Sequence, residues 1–241
     1  MTLILENLPL FWTALLQTFQ LAVVTLLFAT LISALVGLMT VTKRRWVRFI
    51  AFAYIELLRD IPLIVNVMFV YFGAPLVGIS LDPFAAATIS FSLWGGANGA
   101  EIVRSGFASV SRHQEQSAMA LGLKPWEIFW FVLGPQALLP MIPPFTGLFS
   151  LLIQATSLAS IVGATEFFRA AQIVVERTTL MTGYSPAFLI YGFVLLVYFV
   201  ICASLAAGTK KLERYLTTRQ SRQSRRMPSA ATAVQPVRET V

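Results

Sequence analysis

The stretch NLPLFWTALLQTFQLAVVTLLFATLISALVGLMTVT, residues 7–42, contains no Asp, Glu, Lys or Arg. A helix needs about 20 apolar residues to cross roughly 30 Å of membrane hydrocarbon, so this stretch is long enough for one crossing. Four further runs share the same lack of charge: 61–81, 83–100, 128–165 and 178–209. Backbone groups in lipid must satisfy one another, and these runs lack the alternation of a membrane β-barrel. The sequence therefore predicts an all-α membrane protein with about five transmembrane helices.

The composition argues against a soluble protein of this length. Hydrophobic residues make up 57% of the chain and charged residues 12%, whereas soluble domains carry about 25% charged residues. We expect no cleavable signal peptide, because Glu6 lies where a basic region should be. Cys202 is the single cysteine and His113 the single histidine, so we expect no disulfide framework and no metal site.

The predicted spans lie at about 14–41, 51–73, 83–103, 134–158 and 186–208, inside a membrane domain of residues 1–216. Proline lacks a backbone donor and kinks or breaks helices, so we expect an irregular helix in the fourth run. The prolines concerned are Pro135, Pro140, Pro143 and Pro144.

The positions of the basic residues predict how the chain is oriented in the membrane. They form three clusters, at 43–48, 104–124 and 210–238. The positive-inside rule assigns these clusters to the cytoplasm, which with five spans puts the N-terminus outside and the C-terminus inside. Residues 217–241 are predicted to form a disordered basic cytoplasmic tail. Because topology accounts for the basic charge, no nucleic-acid partner is expected.

The loop between the third and fourth runs reads as two helices rather than as a short polar connector. A first helix is predicted over 114–121 and ends at Gly122, since glycine suits the left-handed position after a helix. Pro125 then begins a second helix, with aromatic residues spaced for contact with the inner membrane surface. Small side chains on the first helix would let a partner protein approach closely: Ser117, Ala118 and Ala120. The loop thus predicts a docking element, the alternative being an amphipathic membrane anchor.

The same loop resembles the EAA loop of ABC-importer permeases, whose polar amino-acid branch reads roughly GQxEAAxALG. The matching residues are Gln114, Ala118, Ala120, Leu121, Gly122, Val132, Pro135, Gln136 and Ala137. Three more stretches are similar to family motifs in the same order: 54–69, 99–110 and 143–167. The departures include Gln116-Ser117 for Glu-Ala, Asp60-Ile61 for Gly-Thr and Gln154-Ala155 for Lys-Asp.

The resemblance implies a permease subunit in the inner membrane of a bacterium, moving a polar amino acid or amino-acid derivative by alternating access. It implies a pair of cytoplasmic ATPase subunits, a second permease subunit (identical or paralogous) and an extracytoplasmic solute-binding protein. The ATPase-coupling residues would be Gln114, Gln116, Ser117, Ala118, Ala120, Leu121 and Gly122. ATP and Mg would bind the ATPase, because this chain has no GxxxxGK[ST] phosphate loop. We expect no cofactor and no catalytic residue in this chain.

Polar residues near the middle or outer end of the spans are candidates for the substrate path: Asn98, Gln154, Thr156, Ser157 and Glu166. Ionisable groups in hydrocarbon are costly, so they are expected to face a cavity or a partner. Glu166 is expected to accept a cationic group, either the substrate's ammonium or Arg169. For the amides and hydroxyls, the alternative is hydrogen bonding between helices. Glu101 and Arg104, three residues apart, are expected to pair within one helix.

Two other functional classes are open to a chain of this composition. An ion-coupled secondary transporter, working without an ATPase, would be expected to show internal repeats, and the sequence shows none. A membrane-embedded scaffold would leave the polar mid-span residues without a purpose. The sequence therefore favours the importer permease.

Overall fold

The computed structural model describes residues 2–226, and the secondary structure of this part of the chain is helical, without strands. The α-helices are α1 (Thr2–Glu6), α2 (Leu8–Val41), α3 (Arg45–Asp60), α4 (Leu63–Gly73), α5 (Pro83–Ala108), α6 (Arg112–Ala120), α7 (Pro125–Glu127), α8 (Gly134–Ala155), α9 (Phe167–Thr182) and α10 (Ala187–Arg226). Ala74–Val77 and Thr156–Val162 are 3₁₀ turns, and Ile128–Leu133 is a π-helix. The predicted all-α class is confirmed.

Three helical segments of the described chain are long and apolar enough to cross a membrane: Leu8–Val41, Pro125–Val162 and Ala187–Thr218. The pair α3 and α4 brings the number to four if it counts as one crossing. The third predicted span corresponds to α5, which has 26 residues but is rich in Gly, Ala and Ser. A helix enclosed by other helices needs no lipid-facing apolar surface, so its composition does not mark it as a span. The number of five crossings stays a prediction.

The helix α5 lies at the centre of the bundle and packs against α2, α3, α4 and α8. Glycines bring it close to α2, as small residues do between membrane helices. A methyl group added at Gly95 would lie 3.1 Å from the Cβ of Ala29, and one at Gly99 would lie 2.7 Å from the Cβ of Ser33. Because the contacting residue numbers rise together along both helices, α2 and α5 run parallel.

A second apolar core joins the beginning of α2 to α9 and α10. Its buried members include Phe11, Phe167 and Ile190. The Phe11 and Phe167 rings are 5.7 Å apart between centroids. This core fixes the position at which α9 begins.

The second predicted span, 51–73, is not one straight helix. α3 and α4 are bent by 101° relative to each other. Ile61 has an extended backbone, with φ −82° and ψ 127°. The ring of Pro62 disfavours a helical conformation in the residue before it, which is the physical reason for the break. The structure thus corrects the single-helix expectation for this span.

The fourth run contains irregular turns, as expected, but they do not lie at its inner prolines. Pro140, Pro143 and Pro144 lie inside α8, and the irregular turns lie at its two ends instead. A membrane helix tolerates proline where neighbours or a cavity compensate for the freed carbonyls. Pro140 and Pro144 border a cavity of about 330 Å³ shared with polar residues of α5, among them Glu101 and Ser105.

The last helix is longer than the predicted fifth span. It continues to Arg226, so the first ten residues of the segment predicted as a disordered tail are helical. Residues 227–241, the rest of that predicted tail, lie outside the described part of the chain.

Candidate functional site

Glu166 lies immediately before α9 and is 1% exposed. Its carboxylate accepts hydrogen bonds from the backbone N–H groups of Phe168 (2.8 Å) and Arg169 (2.6 Å). The first N–H groups of a helix have no partner within the helix, and this carboxylate satisfies two of them. The hydroxyl of Tyr198, on α10, donates a third hydrogen bond to it at 3.1 Å. Glu166 is therefore the N-cap of α9 and ties that helix to α10.

Two more side chains extend this buried cluster, which we call the Glu166 cluster: Thr18, Thr156, Glu166 and Tyr198. The hydroxyl of Thr156 lies 3.3 Å from that of Tyr198. The backbone N–H of Phe167 donates to the hydroxyl oxygen of Thr18 at 2.9 Å. Each member comes from a different element, so the cluster joins α2, the 3₁₀ turn, the start of α9 and α10.

The protonation of Glu166 depends on opposing effects. Burial raises the pKa of its carboxyl group to about 7, because the charged form loses hydration. The two backbone N–H groups and the Tyr198 hydroxyl act in the other direction, since they favour the carboxylate. The guanidinium of Arg169 is not its partner: it contacts Gln172 at 3.2 Å and Glu176 at 3.9 Å. The expected pairing of Glu166 with the Arg169 side chain is therefore replaced by a bond to the Arg169 backbone.

The other residues predicted for the substrate path lie outside this cluster. The amide of Asn98 donates to the Trp94 carbonyl at 2.9 Å, within α5. The hydroxyl of Ser157 donates to the Gln154 carbonyl at 2.7 Å, and the exposed Gln154 amide lies 3.6 Å from the sulfur of Cys202. Of the five predicted path residues, hydrogen bonds thus bring together Thr156 and Glu166, through Tyr198. The path itself stays a prediction.

Thr18 and Tyr198 were not predicted from the sequence. Both lie inside charge-free runs, where hydroxyl-bearing residues are common and carry no special spacing. One local signal was available: an acidic residue directly before a helical pattern can cap the helix. Glu166 directly precedes α9 in this way, but a capping role does not identify Tyr198, 32 positions later in the chain.

A polar cavity of about 350 Å³ lies beside the Glu166 cluster. Its lining comes from α2, from the beginning of α5 and from the segment that precedes α9. The polar residues in the lining are Gln17, Gln20, Asp82, Thr165 and Glu166. Among the cavities described for residues 2–226, only a smaller one of about 180 Å³ has as many hydrogen-bonding side chains, and it lies between α1 and the later part of α9.

The predicted loop helix is present as α6, and its ends have the expected geometry. Ser111 caps its beginning, accepting from the N–H of His113 at 3.3 Å. Gly122 has φ +81°, in the left-handed region. The N–H of Leu123 then donates to the Ala118 carbonyl at 3.2 Å, which closes the helix end. The predicted left-handed glycine is confirmed.

The predicted coupling residues divide into exposed and buried ones. Gln114, Gln116, Ser117, Ala120, Leu121 and Gly122 are exposed. Ala118 is only 4% exposed, so it packs inside the protein and is not available to a partner. Met119, absent from the predicted set, is 53% exposed next to Leu121 at 81%. Gln114 also lies 3.4 Å from the Gln136 amide and so connects α6 to α8.

The predicted ion pair between Glu101 and Arg104 is present, with Nε donating to the carboxylate at 2.9 Å. No group of three or more His, Cys, Asp or Glu side chains in residues 2–226 is placed to hold a metal ion.

The long apolar helices are those of a membrane protein, and the exposed helix α6 lies between two of the helical segments that are long and apolar enough to cross a membrane. The chain belongs to the family described as the binding-protein-dependent transport system inner membrane component, which matches residues 29–214. This confirms the family resemblance and the function as permease subunit of an ATP-driven importer. A secondary transporter that works alone is not supported.

Relatives of this chain are permeases over most of its length. The L-cystine transport system permease protein TcyB of Bacillus subtilis is 31% identical over 199 residues, 83% of this chain and 83% of that protein. The glutamine transport system permease protein GlnP of Escherichia coli is 33% identical over 167 residues, 68% of this chain and 74% of that protein. The probable glutamine ABC transporter permease protein GlnP of B. subtilis is 29% identical, covering 86% and 94%.

Two solved structures share the fold. A chain from the crystal structure of an amino acid ABC transporter with histidines superposes with a TM-score of 0.80, at 24% identity, over 88% of this chain and 96% of that one. A chain of the inward-facing MetNI methionine ABC transporter gives a TM-score of 0.72, at 19% identity, over 88% and 98%.

Proposed function

We propose that this chain imports a polar amino acid across a bacterial inner membrane as one of two permease subunits, together with two cytoplasmic ATPase subunits and an extracytoplasmic binding protein. The observation that carries the proposal is α6, a short helix with exposed small and polar residues that ends at a left-handed glycine. Because the chain has no phosphate loop of its own, energy must come from a partner, and α6 is the site where that partner would dock.

The parallel packing of α2 and α5 supports five crossings. Two parallel helices enter the membrane from the same side, so the chain between them must return across it. That chain consists of α3, α4 and the turn Ala74–Val77, and we count it as the second crossing despite its bend. With α5 as the third crossing, α8 as the fourth and α10 as the fifth, the N-terminus lies outside and the three basic clusters lie in the cytoplasm.

The exposed side chains of α6 and the residue after it would form the contact with the ATPase. Gln116, Ser117, Ala120 and Leu121 are exposed, and none of them is charged, so they can be buried in a groove at little cost. Met119 adds a flexible apolar side chain of the type used at adaptable binding surfaces. Ala118 would act from within, because its small side chain lets α6 pack against the π-helix.

The substrate is proposed to carry both an ammonium and a carboxylate, since the relatives are named for glutamine and cystine. Gln154 and Asn98 each have an amide oxygen outside the bonds described above, and the Ser157 hydroxyl, which donates to Gln154, can still accept. We propose that these three residues line the path. Thr156 and Glu166 belong to the same path, where the Glu166 cluster fixes the segment that borders it. A zwitterion then meets amide and hydroxyl groups that donate and accept hydrogen bonds.

ATP-driven uptake by the assembled transporter tests the proposal. The chain is co-expressed with a candidate ATPase and binding protein from the same organism, reconstituted in liposomes, and supplied with radiolabelled glutamine, cystine or arginine. Ala120→Trp, on the exposed face of α6, should abolish uptake and release the ATPase. Ala206→Trp, at an exposed alanine on α10, is the matched control and should do neither. Uptake without ATP, or full uptake by Ala120→Trp, contradicts the docking role of α6.

A further inference from the structure

The polar cavity beside the Glu166 cluster is lined by four polar residues besides Glu166, and none of these four was predicted for the substrate path. Gln17 and Gln20 reach it from α2, Asp82 from the beginning of α5, and Thr165 and Glu166 from the segment before α9. Its volume of about 350 Å³ is within the range of small-molecule sites, roughly 300–1,000 Å³. Three separate parts of the chain thus bring hydrogen-bonding groups to one space of suitable size.

The two glutamines are unusual for their position in the sequence. They lie in a run without any charged residue, and they are the only amide side chains between residues 8 and 42. Residues three apart lie on one face of a helix, so both amides are presented together. An amide has no favourable partner in hydrocarbon, and both border the cavity instead. Each amide can donate to a carboxylate and accept from an ammonium.

Asp82 brings a negative charge to the cavity from the beginning of α5. One of its carboxylate oxygens, Oδ2, accepts the backbone N–H of Phe84 at 3.2 Å and thereby caps α5. The side chain is exposed, and its second oxygen is available to an incoming group. Glu166 contributes differently: its carboxylate is buried and bonded to α9 and Tyr198. It therefore holds Thr165 and the adjoining wall in place rather than contacting a ligand.

We propose that this cavity is an outer binding site for a zwitterionic amino acid, with the ammonium on Asp82 and the carboxylate on the amides of Gln17 and Gln20. The inference rests on the proposed function, which assigns this end of α2 and α5 to the extracytoplasmic side. It adds a site that the substrate would occupy before it reaches Asn98, Gln154 and Ser157. A cavity with both donors and acceptors favours a zwitterion over a simple cation or anion.

Cysteine labelling of the complete transporter in nanodiscs, without binding protein, tests the site directly. Gln20→Cys is introduced in a Cys202→Ser background, and its reaction is followed with a cationic and an anionic methanethiosulfonate. Asp82 should make the cationic reagent react faster and the anionic reagent slower. One unit charge at about 7 Å in water changes each rate about 2.7-fold in opposite directions, so Asp82→Asn should reduce the cation-to-anion rate ratio about sevenfold. Asn remains a good helix cap, so α5 should stay intact. L-Glutamine should slow labelling of Gln20→Cys when Asp82 is present and not when it is replaced by asparagine.

Two controls keep the outcome decisive. Ser185→Cys lies exposed between α9 and α10, outside the cavity, and its labelling should respond neither to Asp82→Asn nor to L-glutamine. Gln17→Cys repeats the experiment if Gln20→Cys does not assemble. Equal rate ratios with and without the Asp82→Asn substitution, or protection by neither L-glutamine nor L-arginine, overturns the site while ATP-driven uptake still tests the proposed function. If Gln20→Cys is protected from labelling only when the binding protein is added, the binding protein itself covers the cavity, and this result also overturns the proposal.

Discussion

Replacing Glu166 by Gln separates a capping role from direct contact with substrate. The carboxylate accepts two backbone N–H groups and the Tyr198 hydroxyl, and it is 1% exposed. Glutamine has nearly the same shape, but its amide nitrogen donates and cannot accept. One N–H at the beginning of α9 therefore loses its partner in a buried position. A buried, unsatisfied donor destabilises the fold by about 1–3 kcal/mol.

The loss of stability expected for Glu166→Gln can be compared with the smaller loss expected for Tyr198→Phe in the same cluster. Loss of a helix cap typically destabilises by about 1 kcal/mol, so Glu166→Gln, which also leaves a buried donor unpaired, should lower the free energy of unfolding by about 2 kcal/mol. For a chain of this length that corresponds to a decrease in Tm of about 4–8 °C. Tyr198→Phe removes the hydroxyl that contacts Glu166 and Thr156 but keeps both cap bonds, so its decrease should be about half as large. Because both residues share one network, the double variant should lose less than the sum.

The pH dependence gives a second, independent signature. The pKa of Glu166 is raised by burial from 4.5 to about 7, so the folded protein binds a proton more tightly than the unfolded chain. The stability from this group is fully present below about pH 4.5 and is lost as the pH rises through about 7. Wild-type Tm should fall as the pH rises through this range, and Glu166→Gln should lack that part of the fall. Fluorescence-detected size exclusion after heating measures both.

A direct role in substrate contact gives the opposite pattern. Uptake would then fall while Tm and its pH dependence remained unchanged, and the loss would be larger for arginine than for glutamine, since ion-paired hydrogen bonds are the stronger ones. That result would refute the capping argument. The two patterns are distinguishable because one appears in the resting transporter and the other only during transport.

Ala118→Trp should lower Tm, because this side chain is 4% exposed, whereas Ala120→Trp should leave Tm unchanged and release the ATPase. Thermal unfolding and co-purification of the ATPase with both variants measure this. Equal Tm values would contradict the assigned burial. Gly99→Val should prevent assembly, because its Cβ would overlap the hydroxyl of Ser33, as size exclusion would show; a well-folded variant would argue against the close α2–α5 contact. A reporter fused at the C-terminus should be cytoplasmic and one placed before Leu10 extracytoplasmic, and two reporters on the same side would make the number of crossings even.

Local signals were sufficient for the loop helix. Gly122 follows a short polar and small-residue segment, and only a residue without a side chain enters the left-handed region without strain. A second local rule applied at Pro62: proline disfavours the helical conformation in the residue before it. This rule should have predicted the break between α3 and α4. The charge-free run concealed that signal, since hydropathy measures apolar length and contains no information on backbone angles. The broken second span was thus predictable from the sequence, but from a different feature.

Long-range contacts account for what the sequence left out. The bonds of the Glu166 cluster connect Thr18, Thr156 and Tyr198, which lie far apart in the chain and come together only after α2, α9 and α10 have packed. Likewise, prolines at 140, 143 and 144 predict a kink by local rules, yet α8 continues through them. Tertiary packing against α5 decides that outcome, because it determines whether the freed carbonyls have room and partners. The spacing of residues in a single sequence predicts neither the Glu166 cluster nor the continuity of α8.

One helical segment connects α6, the proposed docking site of the ATPase, to the Glu166 cluster. Residues Pro125–Val162 form a helix of 38 residues, about 57 Å long at 1.5 Å per residue. It begins three residues after Gly122, at the end of the docking helix α6, and Gln136 near its beginning touches Gln114 of α6. Its far end includes Thr156, which touches Tyr198 of the Glu166 cluster. We therefore predict that a displacement of α6, caused by the proposed docking of an ATPase, would reach the Glu166 cluster along this helical segment. The π-helix and the 3₁₀ turn are the two irregular places in the segment, where a change of register would be expected.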